Sequence, residues 1–373
     1  MFCLPFMTVI QNVAAQIGSV TGRGIAANLR RHYPKPLLWV AVALLLVANV
    51  INLGADLSAM GAAMDMLMPG PILAYTLGFG LLCMLLEIFL SYERYAAVLK
   101  FTTLSLFAYV AVVFTVHIPW GEAIRSLLIP RVEWTGAFAT GFVAILGTTI
   151  SPYLFFWQAA QEVEEIDQVD EREPLVEKRV QGPDALSRIR WDTFTGMAVS
   201  NIVALAIMLG TAATLHAAGK HDIQSAADAA QALKPVAGNL AFALFSLGII
   251  GTGLLAVPVL AGSSAYAISD IAGWKASLEH KPYQDKAFYA VIALGMALGL
   301  TIDWLKINPM SALFWSAVVN GVVAVPVLAG LMIVVSKRSI MDRFVASPSL
   351  KFFGWLATAV MGAAAVAMVL FPS

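Results

Sequence analysis

Apolar stretches long enough to cross a lipid bilayer recur along the whole chain. A membrane-spanning helix needs about 20 mostly apolar residues, and its backbone must satisfy its own hydrogen bonds. Ten such stretches occur, near residues 2–18, 37–62, 71–90, 95–117, 134–162, 192–216, 236–267, 286–302, 308–335 and 352–371. With 60% hydrophobic and 12% charged residues and a mean hydropathy of +0.80, the chain is not an ordinary soluble domain. The sequence predicts an all-α polytopic membrane protein, with residues 1–373 forming a single transmembrane domain.

Charge placement predicts the orientation and the surroundings of the chain. Most of the 23 Lys and Arg residues lie in alternate connections between the apolar stretches, and the positive-inside rule assigns those connections to the cytosol. The longest of them, 163–190, is predicted to be a charged, solvated cytosolic loop. A net charge of zero without a basic run argues against a nucleic-acid partner. We expect a multi-pass protein of the cell membrane whose partner is the lipid bilayer.

The stretch from 133 to 165 combines a helical pattern with an interruption. Its apolar first half and aromatic second half are joined by Gly-Thr-Thr-Ile-Ser-Pro at 147–152. Pro152 lacks an N–H and disfavours the helical conformation at Ser151, so the carbonyl of Thr148 loses its helical partner. The helix is therefore predicted to break there. Backbone freed at membrane depth is tolerated inside protein or against a water-filled cavity, where transporters hold cations.

Three ionisable residues within apolar stretches are functional candidates, because a charge inside a membrane is costly. Asp56 lies in the outer half of its stretch and is either a functional carboxylate or one satisfied by neighbouring hydroxyls near the interface. Glu87 and Lys100 lie near the cytosolic ends of consecutive stretches. A structural intramembrane ion pair is the interpretation that we favour for them, since both side chains can reach towards the interface.

The neutral amides Asn49, Asn52, Asn201 and Asn320 either bond neighbouring helices or supply ligand oxygens. None of the five histidines lies near the centre of a stretch, which argues against a histidine proton relay. Cys3 and Cys83 have no second thiol nearby in sequence and are predicted to be packing residues. Hydrolase and nucleotide-binding motifs are missing from the sequence, so we expect the protein not to be an enzyme.

Several ordered motifs resemble the NRAMP divalent-metal transporters. They are TGRGIAAN at 21–28, HYP at 32–34, ADLS at 55–58, GTTISPYLFFWQ at 147–158, GTGLLAVPVLA at 251–261 and NGVVAVP at 320–326. The resemblance covers nearly the whole chain and implies a LeuT-like fold. Such a fold has two inverted five-helix repeats, with family helices one and six broken around a metal site. The implied substrate is a divalent metal ion, with no resident cofactor.

The resemblance also implies an assignment of the helices. Residues 1–117 would be the remainder of the first repeat, family helices 2–5; residues 133–335 the second repeat, helices 6–10; and residues 352–371 an extra C-terminal helix. On this alignment the first family helix, which carries Asp and Asn ligands, has no counterpart. We therefore expect either a mis-assigned start or a truncated product, and a non-transporting fragment is one alternative. A LeuT-like amino-acid or sodium-coupled permease is another. The oligomeric state is left open.

Departures from the family pattern suggest the preferred ion. The family has a methionine where this chain has Ser151 and a second histidine where it has Gln158, which shifts the preference from soft ions to magnesium, manganese or iron. The loss of histidines implies weak or no proton coupling. The resemblance assigns the Thr148 carbonyl and the Ser151 hydroxyl as metal ligands, with Tyr153 and Gln158 shaping the inner vestibule. Asn320 is a candidate gate, and Asp56 an outer-pathway carboxylate.

Overall fold

Every long element in the described part of the chain is an α-helix. The structure is a computed structural model, and it describes residues 3–31, 33–89, 101, 104–129, 135–168, 172–219, 223, 225–274, 277–278, 280, 282–305 and 307–371. No strand occurs within these ranges. The prediction of an all-α protein is therefore confirmed.

Thirteen helices carry labels here, and short helical turns between them are left unlabelled. They are α1 (Cys3–Thr21), α2 (Ile25–Arg30), α3 (Lys35–Leu67), α4 (Ile72–Phe89), α5 (Phe107–Thr115), α6 (Trp120–Leu128), α7 (Gly136–Thr149), α8 (Pro152–Gln168), α9 (Gly182–Thr211), α10 (Ala241–Ala272), α11 (Lys286–Trp304), α12 (Pro309–Ser336) and α13 (Pro348–Leu370).

The described residues contain eight helical segments that are long and apolar enough to cross a membrane. These are α1, α3, α4, α7 with α8, α9, α10, α12 and α13. A ninth crossing results if α5 and α6 are counted as one bent span, and α11 is a shorter apolar helix. Each of the ten predicted stretches thus contains helix, although only eight form full spans by length and composition.

The predicted stretch 95–117 differs most from the expectation. Residues 90–100 lie outside the described part of the chain, and the remainder bends by 117° between Leu104–Thr115 and Trp120–Leu128. The chain is extended at Val116, and Pro119 precedes the first residue of α6. Because a residue before proline is pushed away from the helical conformation, helix α5 cannot continue through this point.

The charged stretch 163–190 is more helical than predicted. Helix α8 continues to Gln168, and α9 begins at Gly182 with a proline in its first turn, a position that suits proline. The charged residues did not reveal where α8 ends and α9 begins, because a long helix can continue through charged residues that form ion pairs. Arg188 on α9 contacts Glu162 on α8 at 2.8 Å, so this ion pair joins the two helices.

Helix α3 lies at the centre of the bundle and packs against α10, α11 and α12, while α1 packs against α8 and α9. Helices α7 and α12 approach closely at Gly147 and Gly321. A Cβ at Gly321 would lie 2.7 Å from the Val143 carbonyl oxygen, so the two backbones touch without an intervening side chain. This contact fixes the end of α7, and with it the break before α8, against α12.

Candidate functional site

The predicted break separates α7 from α8. Helix α7 ends at Thr149, and Ile150 follows with φ −120° and ψ 60° while its N–H still bonds the Leu146 carbonyl at 2.7 Å. Helix α8 begins at Pro152. Since proline has no N–H, the Thr148 carbonyl has lost its helical donor, as predicted. The break therefore follows from the local sequence.

The hydroxyl of Ser151 occupies the break. It donates to the carbonyl oxygen of Gly147 at 2.5 Å and reaches that of Thr148 at 3.1 Å. Ser151 is 1% exposed. Because its proton is directed at these carbonyls, the lone pairs of its oxygen remain available to accept a cation or a donor.

A cavity of about 400 Å³ lies against the break. It is bounded by α3, α7, α8, α10 and α12. Its polar lining residues are Asn52, Asp56, Thr148, Ser151, Tyr153, Thr252 and Asn320. Five of them, namely Asp56, Thr148, Ser151, Tyr153 and Asn320, were selected from the sequence, and the fold brings them to one cavity. Thr252 was missed, because a threonine within an apolar helix more often bonds its own backbone, as this one does at the Gly248 carbonyl.

The polar atoms that line this cavity are chiefly oxygens. They comprise one carboxylate, two amides, several hydroxyls and the carbonyls at the break, with no His, Cys or Met among the lining residues. Within the described ranges no group of three or more His, Cys, Asp or Glu side chains could hold a metal ion. Such an oxygen-rich, weakly charged lining suits a hard cation that keeps part of its hydration shell.

Two lining side chains have unused acceptors. Asn320 is 1% exposed, and its Oδ1 atom has no hydrogen-bond partner in the described part of the chain. Asp56 is half-buried, and its carboxylate makes no salt bridge with a described residue. Because a buried polar atom without a partner is costly, the Asn320 oxygen is suited to a ligand that enters the cavity. The Asp56 carboxylate adds an acceptor with a negative charge to the same cavity.

The other amides bond neighbouring groups. Asn49 donates to the hydroxyls of Ser263 and Ser264 at 3.1 and 2.9 Å, which joins α3 to α10. The Oδ1 atom of Asn52 accepts a hydrogen bond from Ser316 on α12. Asn201 bonds the Met197 carbonyl of its own helix at 2.9 Å. Asn52 therefore both joins helices and lines the cavity.

Gln158 lies in a different group of contacts. Its Oε1 accepts from Gln11 on α1 at 3.2 Å, and its Nε2 donates to Glu162 at 3.4 Å. It is not among the residues lining the cavity; it lies farther along α8, towards the end assigned to the cytosol.

Glu87 is buried in α4 at 3% exposure, and neither of its carboxylate oxygens has a hydrogen-bond partner among the described residues. Lys100, the predicted partner of Glu87, lies outside the described residues. The Glu87 and Lys100 ion pair therefore stays a prediction.

The cavity lies on the outer side of the break. Its lining residues on α3, α10 and α12, such as Ala59, Ile249 and Leu313, belong to the halves of those helices that charge placement assigns to the outside. The opposite side is packed. There Trp157 lies edge-on to Tyr266 with ring centroids 6.1 Å apart.

Hydrogen bonds strengthen the packed side. The Glu164 carboxylate accepts from the Tyr266 hydroxyl and, at 2.7 Å, from the Leu278 N–H. This links α8 to α10 and to the segment before α11.

A broken membrane helix at a polar cavity between packed spans is the arrangement found in membrane proteins of the LeuT fold class. The family described as "Natural resistance-associated macrophage protein-like" (Nramp) matches residues 1–371. The chain belongs to this family. Its described residues hold eight helical segments long and apolar enough to cross a membrane, in keeping with the predicted multi-pass membrane protein.

Curated relatives are similar over different portions of the chain. The divalent metal cation transporter MntH of Deinococcus radiodurans is 22% identical over 367 residues, which is 95% of this chain and 77% of that protein. MntH of Aeromonas hydrophila is 26% identical over 257 residues, which is 66% of this chain and 58% of that protein. The chain thus spans little more than half the length of one relative and about three quarters of the other.

Solved structures confirm the fold. A point mutant of the Eremococcus coleocola manganese transporter superposes with a TM-score of 0.72 at 15% identity, covering 99% of this chain and 78% of that one. The same transporter in complex with an aromatic bis-isothiourea compound gives a TM-score of 0.71. The predicted LeuT-like fold is therefore correct.

Proposed function

We propose that this chain moves divalent metal cations across the cell membrane by alternating access, and that the cation binds in the cavity at the break. The family and the substrate of the similar MntH transporters supply the class of ion. The observation that carries the proposal is the convergence on one cavity of Asp56 from α3, Ser151 from the break and Asn320 from α12.

The first ligands in this proposal are the Thr148 carbonyl and the Ser151 hydroxyl. Both lie at the break, where helical hydrogen bonding stops. Asp56 supplies the negative charge that attracts the ion, and the partnerless Oδ1 atom of Asn320 supplies a fourth oxygen. Tyr153, in the first turn of α8, also lines the cavity. Water completes the coordination, since the cavity is larger than a bare ion requires.

The same donor set favours magnesium or manganese over softer ions. Hydroxyl, carbonyl and carboxylate oxygens suit Mg²⁺ and Mn²⁺, whereas thioether sulfur favours late transition metals. A single carboxylate also suits an ion that remains partly hydrated, as Mg²⁺ does. Fe²⁺ has an intermediate preference and is an expected weaker substrate.

Proton coupling is weak or absent in this proposal. Asp56 is the one carboxylate among the cavity-lining residues, and no imidazole lines the cavity. With one carboxylate, the same group cannot at once hold the metal and carry a proton, so metal entry does not require a proton to move with it.

Uptake into proteoliposomes tests the function. We expect Mn²⁺ and Mg²⁺ to enter vesicles that contain the purified chain at equal internal and external pH. A protonophore at clamped voltage should leave the rate unchanged, and a collapse of uptake would contradict the coupling proposal. Amino acids in excess should not compete with the ion; competition would instead favour the permease alternative, which the family match does not support.

A further inference from the structure

A second polar cavity, of about 480 Å³, lies between α1, α9 and the start of α13. It is separate from the cavity at the break, with which it shares no lining residue. On α9 and α13 its lining residues lie near the ends that charge placement assigns to the cytosol, and on α1 they extend from Thr8 to Gln16. Its polar lining residues are Thr8, Asn12, Gln16, Arg190, Ser347 and Ser349.

Two buried amides face this cavity with unused hydrogen-bonding groups. Asn12 is 8% exposed and makes no hydrogen bond with a described residue. Gln16 is 4% exposed; its Nε2 donates to the Phe344 carbonyl at 2.7 Å, while its Oε1 has no partner in the described part of the chain. Because buried polar groups are normally hydrogen-bonded, these amides indicate a ligand that both accepts and donates.

The mouth of the cavity suits an anion. Ser347 caps α13, and its side chain accepts from the Leu350 N–H at 3.3 Å, while Pro348 has no N–H to offer. The backbone N–H of Ser349 and the positive end of the helix remain available. Arg190 is exposed, is the one charged residue in the lining, and forms no salt bridge with a described residue. A guanidinium beside a helix N-terminus is well matched to a phosphate group.

Exposed aromatic side chains follow the cavity-lining residues along α9 and α13. Trp191 and Phe194 on α9 are 65% and 47% exposed, and Phe352 and Trp355 on α13 are 64% and 43% exposed. Both helices are membrane spans. Exposed tryptophans near the end of a span are typical of the lipid headgroup level. The cavity therefore opens where a lipid phosphate lies, with apolar surface beside it for acyl chains.

We propose that this cavity binds the headgroup of an anionic glycerophospholipid that carries hydroxyl groups, such as phosphatidylglycerol, from the cytosolic leaflet. The phosphate binds Arg190 and the N-terminus of α13. The headgroup hydroxyls extend inward, where they donate to the Gln16 Oε1 atom and accept from the Asn12 amide. A choline headgroup has no hydroxyl that could donate to Gln16. It would also place its quaternary ammonium near the Arg190 guanidinium, so we expect this site not to bind phosphatidylcholine.

Native mass spectrometry of the purified full chain in detergent tests the proposal. Dioleoyl phosphatidylglycerol, dioleoyl phosphatidylcholine and soluble glycerol phosphate are added separately. We expect one phosphatidylglycerol to be retained per chain, and neither of the other two. R190Q should weaken retention about tenfold, the loss expected for one hydrogen bond to a charged group, and N12L about fivefold, the loss expected for one neutral hydrogen bond.

A matched control removes the same charge elsewhere. Arg31 is exposed at the same membrane side and outside the cavity, so R31Q should retain the lipid like the native chain. Equal retention of phosphatidylcholine, or unchanged retention of phosphatidylglycerol by both R190Q and N12L, would overturn the proposal. Tight binding of glycerol phosphate alone would show that the site takes a soluble phosphate and would overturn its assignment to lipid. Thermal unfolding of each variant confirms that it is folded, and R190Q alters only a surface side chain.

Discussion

Gly147 lies directly against the carbonyl oxygen of Ala317, so that a Cβ atom at residue 147 would collide with the backbone of α12. This contact connects the last turn of α7 to the helix that carries Asn320. Because residue 147 has no side chain, α7 and α12 can pack backbone to backbone. This packing fixes the position of the break relative to the Asn320 amide.

The G147A variant should lose stability and transport together. The added methyl group has rigid backbone as its nearest neighbour, so α7 and α12 must separate, and overpacking of this kind costs about 1–3 kcal/mol. Thermal unfolding in detergent and Mn²⁺ uptake measure the two effects. G141A is the matched control, because nothing lies within 4 Å of a Cβ at Gly141 on the same helix. Equal behaviour of the two variants would show that the close approach has no role.

Replacement S151M should change the preferred ion. A thioether in place of the hydroxyl adds a soft ligand at the break, which should raise Cd²⁺ uptake relative to Mg²⁺ uptake. Competition between the two ions in proteoliposomes measures the ratio. T149M places the same side chain two residues earlier, at a residue that does not line the cavity, and should leave the ratio as in the native chain. An unchanged ratio in S151M would contradict the ligand assignment.

Replacement D56N should reduce metal uptake at least about tenfold, since it removes the one negative charge from the cavity lining while the size of the side chain is kept. The loss should appear as a higher concentration for half-maximal uptake. D65N is the control on the same helix, where Asp65 bonds the Gly70 N–H at 2.9 Å and lies outside the cavity. If both variants transport alike, Asp56 does not attract the ion.

Removal of the Arg188 charge should destabilise the cytosolic side of the bundle. Arg188 pairs with Glu162 at 2.8 Å and with Glu165 at 2.9 Å, and Glu162 is 6% exposed. R188Q leaves that buried carboxylate without its cation, at a cost of about 1.5–3 kcal/mol. The double variant R188Q/E162Q should recover part of the loss in thermal unfolding. A double variant that is less stable than R188Q would show that the pair is not the cause.

Much of the architecture could be predicted locally. The helix break depends on Pro152 and its effect on the residues before it, which act over one turn, so the sequence places it correctly. The bend after Thr115 was not predicted, although Pro119 can be read from the sequence as readily as Pro152. The apolar run ends before that proline, and a single proline does not reveal how far the chain turns.

The cavity could be predicted only in part. Asp56, Ser151 and Asn320 were selected as polar residues within apolar stretches, and they do line one cavity. Asn49 and Asn52 are three residues apart on the same helix and could not be told apart in sequence, yet only Asn52 lines the cavity. Gln158 was expected to shape the inner vestibule. In the structure it accepts a hydrogen bond from Gln11 on α1, and the sequence could not predict this contact because the two residues are far apart in the chain.

By itself the sequence determined the membrane class, the helical stretches and the break before Pro152, because each depends on hydropathy or on the conformation of a few adjacent residues. The tertiary structure decided which oxygens meet at the break and which amides are used up by neighbours. In a span that is apolar on all sides, the sequence has no hydrophobic periodicity that would show which face packs against the neighbouring helices. Only the packing of α3, α10 and α12 around α7 and α8, fixed by close glycine contacts, selects those faces.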